Sequence, residues 1–344
     1  MTENSLLTPD SRTNEITETV ERSQLATEII SWGILLLAVI ALAFSPIFTK
    51  LSEIEISPSA TIFNRLWIAT VILSVWQSIA SPTKFVSASS RSNKFEYKQQ
   101  GLLILASISA TFSSILWAIS FTQTSVASST VLRSLTPLFI SFGAWLILKQ
   151  NFNRQFLLGM LISIIGGMAI GWDDLQLGTE YLIGDGLALL SAALHALNIL
   201  TVGYLRDRDC TTTRVLFWRC GFGALIALPV VLFTDTQLFP TSIGGWLIVV
   251  ALALVCQTFG QGLLVFSLKR FDSSLVGIFT LLKPIVTAGL AWLIFAEELN
   301  ITSAIAVILI LFGIYLAKSS SQRLKNNRLI AQSTMKKDKL FKHG

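Results

Sequence analysis

The sequence predicts an all-α integral membrane protein of ten transmembrane helices, built as two inverted five-helix repeats. Three observations lead there. Of 344 residues, 52% are hydrophobic and only 13% charged, about half the charge that a soluble domain carries. Apolar stretches recur along the whole chain, each close to the roughly 20 residues that span a bilayer as a helix. Short strings in the first half return in the same order in the second.

The spans are read at 29–49, 60–80, 102–121, 126–148, 156–172, 183–204, 215–233, 243–267, 274–296 and 302–317. The runs are continuous and do not alternate with period two, so helices are expected and barrel strands are not. The first 28 residues are polar and acidic (Glu15, Glu18, Glu21, Glu28). A signal peptide has a basic start and an early apolar run, and transit peptides avoid acids. The first span is therefore expected to stay as a helix. The domain reading is an acidic tail at 1–28, a first repeat at 29–172, a second at 183–317 and a basic tail at 318–344.

Charge sets the orientation. With the amino terminus inside, the inside connections hold Lys84, Arg91, Lys94 and Lys98, then Lys149 and Arg154, then Arg206, Arg208 and Arg214, then Lys269 and Arg270. The outside ones hold only Lys50, among Glu53, Glu55, Asp173, Asp174, Glu180, Asp235, Glu297 and Glu298. This is the positive-inside pattern, and it predicts a multi-pass protein of the cell (plasma or inner) membrane with both termini cytoplasmic. The formal net charge of +6 then belongs to connections and tail, and no nucleic-acid partner is expected. The tail (Arg323, Lys325, Arg328, Lys336, Lys337, Lys339, Lys342) suits anionic lipid headgroups.

The repeat is legible residue by residue. "AWLIL" at 144–148 answers "AWLIF" at 291–295; at the same offset Pro137 matches Pro284 and Gly166 matches Gly313. "FNRLWIA" around Arg65 answers "FWRCGFG" around Arg219 at a slightly larger offset. Five spans is an odd number, so the halves must have opposite orientation. Inverted repeats with a central site are a recurring design of secondary transporters.

With these strings in view, the chain resembles the drug/metabolite transporter superfamily, in its EamA-like branch. The likeness covers about 29–317. It is carried by the Arg65 segment, by "SLTPLFISFGAWLIL" in span four, "GDGLALLSAALHAL" opening span six, "LLKPIVTAGLAWLIFAEEL" in span nine and "LILFGIYLA" in span ten. The resemblance implies ten helices, two repeats and a solute carrier, and leaves the substrate open. In that family both span four and span nine often end on an acid. Here Glu297 ends span nine but Gln150 stands at the matching place, which weighs against a coupling role for the pair.

Charge inside a bilayer costs about 2.5–3.5 kcal/mol per central base. Four bases lie within spans, Arg65, Arg133, Arg219 and Lys283, and no acid lies deep in any. Arg65 and Arg219 sit about five residues inside their helices, so snorkelling to the interface is one reading and lining a site the other. Arg133 and Lys283 lie deeper, each just before a proline, Pro137 or Pro284. Helix-breaking prolines free backbone carbonyls, tolerated only in packed protein or beside a cavity. Arg133 and Lys283 are therefore expected to line the solute path, with a clamp on neighbouring carbonyls as the alternative. Gln257 and Gln261 share a face of span eight, His195 and Asn198 a face of span six, and Trp117 lies late in span three. For His195 a hydrogen-bonding role between helices is the plainer reading. Trp32, Trp67, Trp76 and Trp246 read as interfacial anchors or packing. Gly159, Ser163 and Gly167 form a small-residue stripe. It reads first as packing within one subunit and second as the face of a homodimer.

The function expected is a secondary transporter of a small metabolite, anionic or zwitterionic (an amino acid, organic acid or phosphorylated compound), working by alternating access in contact with membrane lipids. Neutral or aromatic solutes, or a non-transporting sensor or assembly role, are the alternatives. No cofactor is expected. Cys210, Cys220 and Cys256 have no metal spacing, there is no phosphate-cradling GxxxxGK[ST], and no nucleophile–base pair or HExxH marks an enzyme.

Overall fold

Proline stands in the first turn of several helices of this chain, at Pro46, Pro137 and Pro284. The computed structural model describes residues 9–80, 93–124, 129, 132–169, 181–235, 237–295, 305 and 308–317. Glu297, Glu298 and the basic tail, singled out above, lie outside the described residues, as does the side chain of Pro284. Helix α1 (Pro9–Ala43) stops at Phe44, and α2 (Ser45–Ser52) restarts with a proline, Pro46, in its first turn. Next come α3 (Pro58–Ala80) and α4 (Asn93–Gln123). Helix α5 (Thr136–Leu148) opens on Pro137, with Ser134 and Leu135 in a turn before it. After α6 (Arg154–Ala169), α7 (Leu182–Asp207) and α8 (Thr212–Thr234) comes α9 (Ile243–Ser267). Its middle, Leu252–Gly260, winds as a π-helix. Then follow α10 (Ser273–Phe279), α11 (Leu282–Phe295) and α12 (Ile308–Ala317).

Spans four and nine, expected to be continuous, are interrupted at 134–135 and 280–281. A proline lacks an N–H and its ring crowds the carbonyl four residues back. For Pro137 that carbonyl belongs to Arg133, and the Thr136 hydroxyl donates to it at 2.6 Å. For Pro284 it belongs to Thr280, which accepts from the Lys283 amide at 3.1 Å. The two breaks use the same residue types in exchanged places: base, then Thr-Pro, in the first, and threonine, then Lys-Pro, in the second. They also touch. A side chain grown on Gly277 of α10 would meet Ile140 and the Pro137 backbone of α5.

The distribution of polarity is that of a protein solvated by lipid. Phe142, Trp145, Leu146 and Ile147 of α5 are all exposed, as are Leu311, Phe312 and Tyr315 of α12, while Ser107, Ser109, Ser113, Ser163 and Ser191 are buried. Hydrocarbon takes apolar side chains without cost, and buried small polar residues let helices approach. Six described helical stretches are long and apolar enough to cross a membrane: Ala26–Thr49, Pro58–Ile79, Tyr97–Ser120, Leu182–Asp207, Thr212–Thr234 and Ile243–Ser267. Three shorter apolar helices accompany them.

Helix α4 runs along α7 and also touches α8; α3 packs on α8 and on the π-segment; α1 packs along the second half of α9. Gly159 and Ser163 are used inside the chain. A Cβ on Gly159 would lie 2.5 Å from the Gly313 carbonyl and 2.7 Å from the Ala317 amide, and the Ser163 hydroxyl donates to the Ile310 carbonyl. The small residues thus bring α6 backbone-to-backbone with α12.

Candidate functional site

The site is built around one side chain at the first helix break. Ser113 of α4 and Ser191 of α7 exchange hydrogen bonds, each hydroxyl donating to the other's carbonyl at 2.8 Å. Arg133 donates from Nη1 to the Ser191 hydroxyl and, at 3.4 Å, to the Ser113 carbonyl. Its guanidinium lies 4.6 Å from the centre of the Trp117 ring, a cation–π distance. A planar cation stacked on an aromatic face and held by neutral acceptors keeps its charge uncompensated.

Arg219 of α8, 6% exposed, is held in the same manner: Nη2 donates to the Gln261 Oε1 at 2.8 Å. Gln257, a turn earlier on the π-segment, donates to the Cys220 sulfur at 3.4 Å. Cys256, next to it, donates to the Ala41 carbonyl of α1 at 3.2 Å. Arg65 of α3 feels both thiols, yet its buried Nε has no hydrogen-bond partner among the described residues. Arg65 and Arg219 each lie seven positions from the first residue of their helix (65 − 58 and 219 − 212), about 10 Å along the axis. Arg219 is buried against Gln261, and the Nε of Arg65 is buried.

Lys283 stands in the first turn of α11. One turn on, Thr287 donates to the Ala43 carbonyl at 2.9 Å. Residues 41 and 43 of α1 therefore carry α9 and α11 side by side. His195 of α7 ties the set together, since Arg133, Lys283, Arg219 and Arg65 all act on it electrostatically. Arg133 in turn acts on Lys283, and Arg65 on Arg133 and Arg219. Arg65, Arg133, Lys283 and His195 all keep intermediate exposure. Among the described residues His195 makes no hydrogen bond. Asn198, a turn away, is buried with its Oδ1 unpartnered among the described residues. No described carboxylate pairs with any of the four cations: Asp185 bonds Thr124 at 2.8 Å, and Asp209 pairs with Lys269 at 2.7 Å.

All eleven residues singled out beforehand thus fall on α3, α4, α7, α8, α9 and the two breaks. Sequence reasoning missed Ser113 and Ser191. Mid-span serines usually bond their own helix, as Ser74 and Ser107 do to the carbonyl four back, so nothing marks this pair. It missed the π-segment too. Two aromatic clusters also stand out: Trp32 stands 4.3 Å from Phe271 and 4.9 Å from Phe279, while Trp67, Phe239 and Trp246 cluster at 6.0–6.4 Å. Both clusters join α1 or α3 to the second half of the chain. These tryptophans are packed against protein, whereas Trp76 is largely exposed.

Comparison with known proteins gives the same picture. The EamA-like transporter family matches at residues 30–172 and again at 182–318. An uncharacterized transporter of Archaeoglobus fulgidus is 24% identical over 301 residues, covering 84% of this chain and 98% of that one. The uncharacterized transporter YetK of Bacillus subtilis is 23% identical over 197 residues, 56% of this chain and 59% of its own. A protein of known crystal structure superposes with a TM-score of 0.70 over 83% of this chain and 96% of that one, at 17% identity; that likeness speaks for the fold alone. With the family matched twice across nearly all of its apolar length, the chain belongs to the EamA-like transporter family, and is a multi-pass membrane transporter and not an enzyme.

Proposed function

We propose that this transporter carries a small anionic or zwitterionic metabolite by alternating access, around the four intramembrane cations. The observation that carries the reading is the charge imbalance: Arg65, Arg133, Arg219 and Lys283 share one interior region with His195, and their described hydrogen-bond partners are all neutral. Four uncompensated bases in low dielectric would cost about 10 kcal/mol if all were central. A carboxylate or phosphate on the solute supplies the missing partner, and guanidinium groups bind either through paired hydrogen bonds. A cationic solute would meet only repulsion.

The architecture behind the mechanism is ten spans in two inverted halves, 29–172 and 183–317, with both termini cytoplasmic in the cell membrane. Interrupted helices at the boundary between inverted halves are the usual place for a transported solute, because unwound backbone lies beside it. The exchanged base and threonine at the two proline breaks support that symmetry. The contacts of α1 and α3 with α8, α9 and α11 supply the surface on which one half would rock against the other. No described carboxylate lies at the site to carry a proton, which favours exchange or facilitated movement over proton coupling.

A second reading, a neutral or aromatic solute, draws on the pinning of Arg133 over Trp117 and of Arg219 by Gln261, since protein already holds those two cations. It leaves Arg65 and Lys283 unexplained. The test is flux into liposomes with Arg133→Gln and Lys283→Gln, singly, after checking membrane insertion. Loss of anion uptake in both supports the reading; near-normal uptake in both removes these residues from the site, and a preference for cations overturns it.

A further inference from the structure

At the end of the bundle that the positive-inside pattern places outside, residues 55–67 of the first EamA-like segment meet residues 238–246 of the second. The Glu55 carboxylate, just before α3, sits on the start of α9. It accepts from the Thr241 amide at 3.0 Å, from the Ser242 amide at 3.1 Å and from the Ser242 hydroxyl. That hydroxyl accepts in turn from the Gly245 amide at 2.9 Å. Asn64, fully buried on α3, donates to the Leu238 carbonyl at 2.6 Å. The rings of Phe63 and Trp67 lie 6.3 Å and 6.4 Å from that of Phe239. The repeat matches Arg65 with Arg219, so the turn that answers the Glu55 turn is the one before α8. That turn bonds within its own segment, through Asp209 to Lys269 at 2.7 Å and through the Cys210 carbonyl to Arg206. The Glu55 turn bonds across.

An anion at a helix start is favoured by the helix dipole and by the amides left unpaired there, and α9 is 25 residues long. Gly245 allows the approach: a Cβ there would lie 2.5 Å from Glu55 Oε2 and 2.8 Å from Pro240 Cβ. The carboxylate bonds are exposed, so water can exchange for them. Val249, one turn further on the same face of α9, is fully buried. We propose that Glu55 latches the outer end of the carrier: with its carboxylate on the start of α9 the two segments stay together there, and its release lets the solute path open outward. The latch rests on the alternating-access reading above and adds a named gate to it.

The test uses the full-length protein in intact cells, with Val249→Cys as reporter and a membrane-impermeant maleimide added outside. Cys210, Cys220 and Cys256 are buried, and the chain without the reporter sets the background. Glu55→Ala should raise the labelling rate about tenfold, the worth of one charge-assisted hydrogen bond in a two-state ratio. Glu55→Gln should raise it less, since its amide oxygen still accepts. Gly245→Ala keeps Glu55 but drives its carboxylate off α9, and should raise the rate to a similar extent. This variant separates a latch from general loosening, because alanine favours a helix where glycine does not. Its labelling should rise with no fall in the unfolding midpoint of the purified protein. Faster labelling with a lowered midpoint in both alanine variants marks loosening and overturns the latch. If both leave the reporter at its slow native rate, the latch is overturned while outward opening stands. If no chain labels above background, the outer end does not open, and the latch and the alternating-access reading fall together.

Discussion

Replacing Gln261 with leucine should destabilise the fold through a residue it does not itself bury. The amide oxygen of Gln261 accepts from Arg219 Nη2 at 2.8 Å, and Arg219 is 6% exposed, so water cannot replace the lost acceptor. A hydrogen bond to a charged group contributes about 1.5–3 kcal/mol, a factor of roughly 10–150 in the folded-to-unfolded ratio. Arg219→Leu acts differently, because it removes the buried charge together with its desolvation cost, and such replacements are often neutral or better. The double variant should therefore cost less than the sum of the singles, with a coupling of about 1.5–3 kcal/mol. The assay is reversible unfolding in mixed detergent at neutral pH for the native protein, the two singles and the double. Additivity within about 0.5 kcal/mol, the range for independent sites, would refute the claim that Gln261 is what holds Arg219.

Gly159→Leu should cost about 3 kcal/mol in the same unfolding assay, at the upper end for overpacking, because the obstacle is the Gly313 and Ala317 backbone; an unchanged midpoint would mean that α6 and α12 do not meet there. Glu55 accepts from the Ser242 hydroxyl and amide and from the Thr241 amide, bonds that hold its carboxyl below the ordinary glutamate value of 4.5. A depressed carboxyl stabilises the fold above its unfolded value, and the effect is lost as pH falls through the folded one. The Glu55→Gln variant should then show a flatter unfolding midpoint below about pH 4.5 than the native chain, and an identical acid slope would sever the link. Lys269→Ala should shift stability by no more than about 0.5 kcal/mol, since Lys269 and Asp209 are 51% and 71% exposed; a loss above 1 kcal/mol would show that the pair carries structural weight.

Helix limits were legible where the local chemistry is strong. The span read at 243–267 is the helix Ile243–Ser267, because Ser242 caps its start through the Gly245 amide and turn residues with Lys269 and Arg270 end it. Pro137 and Pro284 were visible as sources of freed carbonyls, but hydropathy stays high across both breaks, so the runs read as single spans. Pro229 shows why proline alone does not decide: it sits inside α8, which continues through it. At the two breaks a side chain or turn amide bonds the freed carbonyl, as Thr136 and Lys283 do, and such bonding depends on geometry outside the reach of a residue string.

At the site, charge was legible and partnership was not. A base in an apolar run is conspicuous because hydrocarbon penalises it, and the structure holds Arg133 and Arg219 by neutral partners. Their partners are inconspicuous for the same physical reason: serine, glutamine and a carbonyl are neutral and ordinary within a span. Which base is pinned and which is free thus follows only from three-dimensional placement. Arg65 and Arg219 illustrate it, for they occupy matching positions in answering strings, yet one meets Gln261 and the other keeps an unsatisfied Nε. The π-segment Leu252–Gly260 ends immediately before Gln261. A wider turn re-aims the residues around it, and here it sends the Thr258 hydroxyl to the carbonyl five residues back, at Ala253. The Gln257 amide meanwhile meets the Cys220 sulfur. Two arginines in answering strings thus differ in their partners, beside a neighbouring helix whose winding is itself irregular.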